Sequence, residues 1–150
     1  MNVGWAAAEE RADALAALGI HDVAHLCARC GSTEHGVPLA EGVPGLSLSH
    51  AGGITLVARA DGPVGIDHEP IGVELSRSVV AHPSESGDPL ILWVRKEAVL
   101  KATGLGLQID PSSFWIDDDR PGPIPGYDGP PLRVTDLEIE GFVAAVASSA

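Results

Sequence analysis

The stretch Val64-Gly65-Ile66-Asp67-His68-Glu69 decides the fold, because its alternation is that of a β-strand. Apolar Val64 and Ile66 share one face and Gly65, Asp67 and Glu69 share the other, since side chains two apart on a strand point the same way. Two carboxylates therefore stand side by side at the strand's end, and His68 points to the opposite face, where its expected role is structural. A second stretch, Trp93-Val94-Arg95-Lys96-Glu97-Ala98-Val99-Leu100-Lys101, has the other periodicity: Trp93, Glu97 and Lys101 recur every four residues and form one helical stripe. Three carboxylates with a lysine beside them offer oxygen ligands to Mg²⁺ and a positive charge to phosphate oxygens. Each motif alone has a plainer reading. An Asp-x-Glu can be a solvated strand rim, and Glu97 with Lys101 can be a helix-surface pair worth about 0.2–0.5 kcal/mol.

Outward from these motifs, Ile54 to Arg59 and Pro63 to Glu69 read as two strands of a hairpin closed by Asp61-Gly62. Gly45 to Ser49 is a short strand. Asp88-Pro89 supplies an N-cap and a first-turn proline for a long helix over Leu90 to Thr103, which Gly104-Leu105-Gly106 terminates. Because those glycines end a helix rather than open one, they are not a nucleotide-binding loop. Leu132 to Glu140 and Phe142 to Ser148 make a terminal hairpin around Gly141. Leu107 to Ile109 and Phe114 to Asp117 are short strand candidates, and Gly72 to Ala81 is a helix candidate closed by His82-Pro83. Near the start, Ala6 to Leu18 is expected as a helix by composition and periodicity, and Asp22 to Cys30 as a shorter one. Mixed antiparallel strands with a few helices give an α+β domain.

The 150 residues, 45% apolar, suffice for one core. Nine basic against twenty-one acidic residues give a net charge of −12, a field that argues against nucleic acid and anionic membranes as partners. No apolar run approaches the ~18 residues of a spanning helix. Glu9 and Glu10 stand where a signal peptide would be basic and then apolar, so the default expectation is a cytoplasmic location. Cys27 and Cys30 form a Cys-x-x-Cys with His35 five residues on. Ile20, Val23, Leu26, Cys27 and Cys30 fall on one helical stripe, so buried thiols are the expectation, ahead of a metal site or a redox pair.

In this order, Gly65-Ile66-Asp67-x-Glu69 followed by Trp93-x-x-Lys96-Glu97-Ala98-x-x-Lys101 resembles the signature of the 4′-phosphopantetheinyl transferases, particularly the surfactin-synthetase type. Leu46-Ser47-Leu48-Ser49-His50, Glu34-His35-Gly36-Val37-Pro38 and the tail Asp136 to Ala145 fit the same pattern, which runs from about residue 30 onward. The resemblance implies a 4′-phosphopantetheinyl transferase-like fold: one α+β domain over 1–150, an antiparallel sheet packed with the long helix, in two compact halves, about 1–63 and 64–150. It implies transfer of the 4′-phosphopantetheine arm of coenzyme A to a serine of an apo acyl or peptidyl carrier protein, releasing adenosine 3′,5′-bisphosphate, with Mg²⁺ as cofactor.

Residue by residue, the resemblance implies Asp67 and Glu69 as metal ligands and Glu97 as a third ligand or as the base that takes the serine proton. Lys101 would hold a phosphate oxygen, and Ser49 and His50 would bind coenzyme A, His50 at its 3′-phosphate. Arg95, Lys96 and Lys101 gather three of the nine basic residues on the long helix, which marks it as the expected carrier docking area. Val37 departs from the pattern, because resembling sequences carry Lys or Arg there for phosphate. That change, with a short stretch between Glu69 and Trp93, supports the alternative of a degenerate, non-catalytic relative that binds coenzyme A or a partner protein.

Overall fold

A computed structural model describes residues 3–27 and 29–149. In chain order the elements are β1 (Val3–Ala8), α1 (Arg11–Ala17), β2 (Ala24–Leu26), β3 (Val37–Leu39), β4 (Gly45–Ala51), β5 (Ile54–Ala60) and β6 (Val64–Pro70). They continue with α2 (Arg77–Val80), α3 (Pro89–Thr103), β7 (Ile116–Asp117), β8 (Arg120–Pro121), β9 (Leu132–Ile139) and β10 (Phe142–Ser149). Two antiparallel three-stranded sheets, ordered β1-β5-β4 and β6-β10-β9, dominate. The architecture is α+β, as the sequence implies.

The long helix forms as expected. Asp88 Oδ1 accepts from the N–H of Leu90 at 2.8 Å, Pro89 occupies the first turn, and Gly104 closes the end at φ 75°. Its buried Val94, Ala98 and Leu100 pack with Phe114 and with Ala145 and Ala147 of β10. A second apolar layer, with Leu56, Ala58, Ile66 and Val146, fills the space between the two sheets. Each fully buried Val, Leu, Ile or Phe among them contributes about 1.5–3 kcal/mol. Gly65 is where helix and strand come closest: a Cβ there would stand 1.9 Å from the carbonyl oxygen of Ala98. The face of β6 that bears Gly65 is thereby pressed against α3, and Asp67 and Glu69 share it.

Several expectations are overturned. Asp61-Gly62 does not close a hairpin, because β5 and β6 belong to different sheets; β6 pairs with β10, with Asp67 opposite Ala145 and Glu69 opposite Val143. The hairpin instead joins β4 to β5 through Gly52 and Gly53, both at positive φ. The Asp-Gly signal marks the point where the chain crosses between sheets. Ala6, Ala7 and Ala8 lie in β1, paired to Val57, Leu56 and Thr55 in turn, and the helix is confined to Arg11–Ala17. Cross-strand pairing outweighs the helix preference of alanine there.

Asp22 to Cys30 is no helix either: Ala24–Leu26 is a strand paired to Val37–Leu39. The expected burial of the thiols fails with it, since Cys27 is half-buried and Cys30 exposed. Of Gly72 to Ala81, only Arg77–Val80 is helical. Gly106–Gln108 is a 3₁₀ turn rather than a strand, and in Phe114 to Asp117 only Ile116–Asp117 is paired as a strand. The terminal hairpin stands as expected. Among the described residues no helix is long and apolar enough to cross a membrane.

Candidate active site

Strands β4 and β6 lie side by side without sharing a ladder. The hydroxyl of Ser47 accepts from the N–H of Ile66 at 3.0 Å, and that of Ser49 accepts from the N–H of His68 at 3.2 Å. Equal offsets at both contacts make the two strands parallel, and both serines are buried. Side-chain hydroxyls thus replace the missing backbone bonds of a seam between the two sheets. The Ser-Leu-Ser alternation of residues 47–49 is the signal for this seam, and sequence reasoning read it as a strand and as part of a coenzyme A-binding segment.

The candidate site sits on the seam. Lys101 reaches from α3 and donates to the carbonyl oxygens of Leu48 (3.2 Å) and Ile66 (2.9 Å) and to Asp67 Oδ1 (2.9 Å). One bond goes to each strand and one to the carboxylate, so all three ammonium donors are engaged. Ser49 Oγ also lies 3.3 Å from Asp67 Oδ1. The other oxygen, Asp67 Oδ2, is buried without a hydrogen-bond partner, and so is Glu97 Oε1. Buried acceptors left unmade cost about 1–3 kcal/mol each, more when charged, so two in one cluster mark an arrangement built for something else than stability.

The charges respond to this crowding. Burial, then the neighbouring charge of Asp67, pushes the Glu97 carboxyl up to about 7. The same two causes raise Glu69 from its ordinary value. Asp67, Glu69 and Glu97 therefore form one electrostatic cluster, although among the described residues their oxygens do not all come within 4.8 Å of one another. His68 is fully buried, and burial lowers its pKa; its Nε2 lies 3.0 Å from the carbonyl of Ala51 and its Nδ1 2.8 Å from the Ser49 hydroxyl. With Nε2–H donating to that carbonyl, Nδ1 is the acceptor of a neutral ring.

Ser49 is buried, its hydroxyl held among Asp67, His68 and the His68 backbone. His50 points outward, with Nδ1 2.9 Å from the Thr55 hydroxyl. A cleft of about 260 Å³ opens on the far side of Lys101, lined among others by Cys27, Arg29, Val37, Leu48 and Gly104. Val37 thus faces the same space as Lys101, and Arg29 brings a cation to it. Arg59, by contrast, is tied to the carbonyl of Leu18 at 2.7 Å.

The expected basic docking patch does not exist as such. Lys96 is fully buried, donating to the carbonyls of Val80, Pro111 and Phe114 and to Glu85. Burial lowers its pKa, only partly offset by Glu85. On the other side of the pair, burial would raise Glu85, but hydrogen bonds from Lys96 and from the His82 and Ile116 backbone hold it below its ordinary value. Arg95 is spent on Asp136 at 2.9 Å. Helical spacing reveals which residues share a stripe but not that a loop and a 3₁₀ turn fold over it.

No curated protein matches the chain significantly. A family model, 4′-phosphopantetheinyl transferase superfamily, matches residues 63–147. That span runs from the start of β6 into β10 and holds Asp67, Glu69, Glu97 and Lys101, the residues gathered at the seam. It is more than half of the chain, and the chain belongs to the 4′-phosphopantetheinyl transferase superfamily.

Proposed function

We propose that the chain is a transferase of the surfactin-synthetase type, moving the 4′-phosphopantetheine arm of coenzyme A to a serine of an apo acyl or peptidyl carrier protein in the cytoplasm, with Mg²⁺ as cofactor. The observation that carries this reading is the pair of buried, unpartnered oxygens, Asp67 Oδ2 and Glu97 Oε1, beside one ammonium. A hard cation satisfies both, so the residues fit the group. Asp67 and Glu69 would hold Mg²⁺, with Glu97 as a third ligand or as the base. Looser spacing of the three carboxylates suits an ion that keeps several waters and takes one or two protein ligands. When bound, the ion withdraws charge from the diphosphate and supports the leaving phosphate.

The chain's own groups do the rest. As the base, Glu97 with its carboxyl pushed up to about 7 would take up the serine proton near neutral pH. Lys101 fixes Asp67 across the seam and acts on phosphate through its field rather than a free N–H. His50, with Nδ1 held by Thr55, presents Nε2 to the 3′-phosphate of coenzyme A. Ser49 contributes by placing Asp67 and His68. Arg29 supplies at the cleft the charge that Val37 lacks.

Incubating the protein with coenzyme A, Mg²⁺ and an apo carrier, then weighing the carrier by mass spectrometry, tests the reading. A gain of one phosphopantetheinyl unit on the carrier serine is expected. Binding of coenzyme A with no mass gain on any fatty-acid, polyketide or peptide carrier overturns it.

A further inference from the structure

The cleft beside Lys101 has a wall whose chemistry the transfer reaction does not use. Between β2 and β3 the chain runs Cys27-x-x-Cys30-Gly31 and on to His35-Gly36. Sγ of Cys27, Sγ of Cys30 and a ring nitrogen of His35 all lie within 4.8 Å of one another, the one such group of three among the described residues. Nε2 of His35 is 3.3 Å from Sγ of Cys30. We propose that Cys27, Cys30 and His35 Nε2 bind a zinc ion, with solvent in the fourth position.

The geometry is close to what zinc requires. Bond lengths of about 2.3 Å to sulfur and 2.0–2.1 Å to nitrogen, at tetrahedral angles, place ligand atoms about 3.6–3.8 Å apart. The observed cluster needs adjustments of only fractions of an ångström to about one ångström. The turn is locked on both sides. Gly31, at φ 72°, donates to the carbonyl of Cys27 at 2.8 Å, and the N–H of Cys27 donates to Ser32 at 2.9 Å. Gly36 packs so tightly that a Cβ there would stand 2.4 Å from Cys27 Cα. That contact brings the His35 end of the loop onto the cysteine turn. Thiolate and imidazole ligands select zinc over the Mg²⁺ suited to the carboxylates across the cleft.

The ion would tie together two segments that both line the cleft, Cys27 with Arg29 on one side and Gly36 with Val37 on the other. On the proposed transferase reading, it is a staple that sets where Arg29 meets coenzyme A. A staple of this kind acts on binding and local order, not on the chemical step.

Cobalt titration of the fully reduced, metal-free protein under anaerobic conditions is the test. The expected result is thiolate-to-cobalt charge-transfer absorption with tetrahedral ligand-field bands, saturating at one equivalent and bleached by zinc. Cys30→Ser and His35→Ala should weaken zinc binding at least tenfold, whereas Asp67→Asn, which alters the carboxylate cluster, should leave the cobalt spectrum unchanged. Zinc should also slow proteolytic cutting between residues 27 and 37, a readout independent of transfer. Absence of thiolate absorption in the wild-type protein overturns the proposal, as does a Cys27–Cys30 disulfide protein that, once reduced, takes up no zinc. Loss of transfer activity with the cobalt spectrum intact would count against the transferase reading alone.

Discussion

Lys101 Nζ lies 2.9 Å from one oxygen of Asp67, while the second oxygen of the same carboxylate is buried without a partner. One half of the group is committed to holding the seam and the other half is available. Asp67→Asn preserves the first function in part, since the amide oxygen still accepts from Lys101, and removes the charge needed for the second. Mg²⁺ affinity is expected to fall by at least the ~10–100-fold seen when even an outer-shell partner is lost. Transfer should fall with it, and Tm should change little. Titration of Mg²⁺ by calorimetry and by activity checks this; unchanged metal dependence removes Asp67 from the site.

Glu97 gives a pH-dependent signature. Its folded-state pKa of about 7 is above the 4.5 of an unperturbed carboxyl, so between those values the folded chain holds a proton that the unfolded chain has released. Stability without divalent ions therefore falls as pH rises from about 4.5 through about 7 and levels off above. Glu97→Gln should flatten that slope, measured as denaturation midpoints across the range. In transfer assays the same variant should remove the limb of kcat/KM near pH 7 and lower the rate about 10²–10⁴-fold if Glu97 is the base. Unchanged Mg²⁺ affinity would assign it that role, and reduced affinity would make it a ligand.

Gly65→Ala should be costly out of proportion to one methyl group. The new Cβ would meet backbone at 1.9 Å, and a helix axis cannot swing aside as a side chain can. Overpacking of this kind costs typically about 1–3 kcal/mol, and here the upper end or more is expected. Because α3 must move off β6, Glu97 and Lys101 retreat from Asp67, and Mg²⁺ affinity falls together with Tm. A stable variant with normal metal binding would show that helix and strand are not in close contact.

Lys96 substitutions should report on stability and not on carrier docking. Lys96→Ala leaves Glu85 and three carbonyl groups without their common donor, a loss of about 3–5 kcal/mol for a buried pair broken on one side. Chemical denaturation should show it directly. Lys96→Met combined with Glu85→Gln should recover part of the loss, because the remaining partner is no longer charged. If Lys96→Ala folds normally and only slows association with a carrier, the lysine is exposed.

What could be read from the sequence was local. Asp88-Pro89 and Gly104 bound the long helix with chemistry confined to a turn at each end, and the terminal hairpin turns within a few residues at Gly141. Asp67 and Glu69 share a face whatever the strand pairs with. The errors lie where a distant partner decides. Asp61-Gly62 carries a sound turn signal, but β6 finds its neighbour in β10, more than seventy residues on. Alanines 6–8 favour a helix until β5 supplies a ladder, and the apolar stripe through Cys27 loses its meaning once Ala24–Leu26 pairs with Val37–Leu39. Lys96 reads as surface because nothing near it in sequence announces the carbonyls of Val80, Pro111 and Phe114.

The hydroxyl seam has a consequence for what can be damaged separately. Ladders hold each sheet internally, whereas the polar contacts between them, over the apolar layer they share, are made by side chains: two serine hydroxyls, the His68 ring and the Lys101 ammonium. Replacing Ser47 and Ser49 with alanine would leave both sheets with every internal rung intact while removing the gauge that sets the distance from His50 on one to Asp67 on the other. Foldedness and alignment are then independent properties of this protein, and a chain with native secondary structure and an intact carboxylate set can still be out of true.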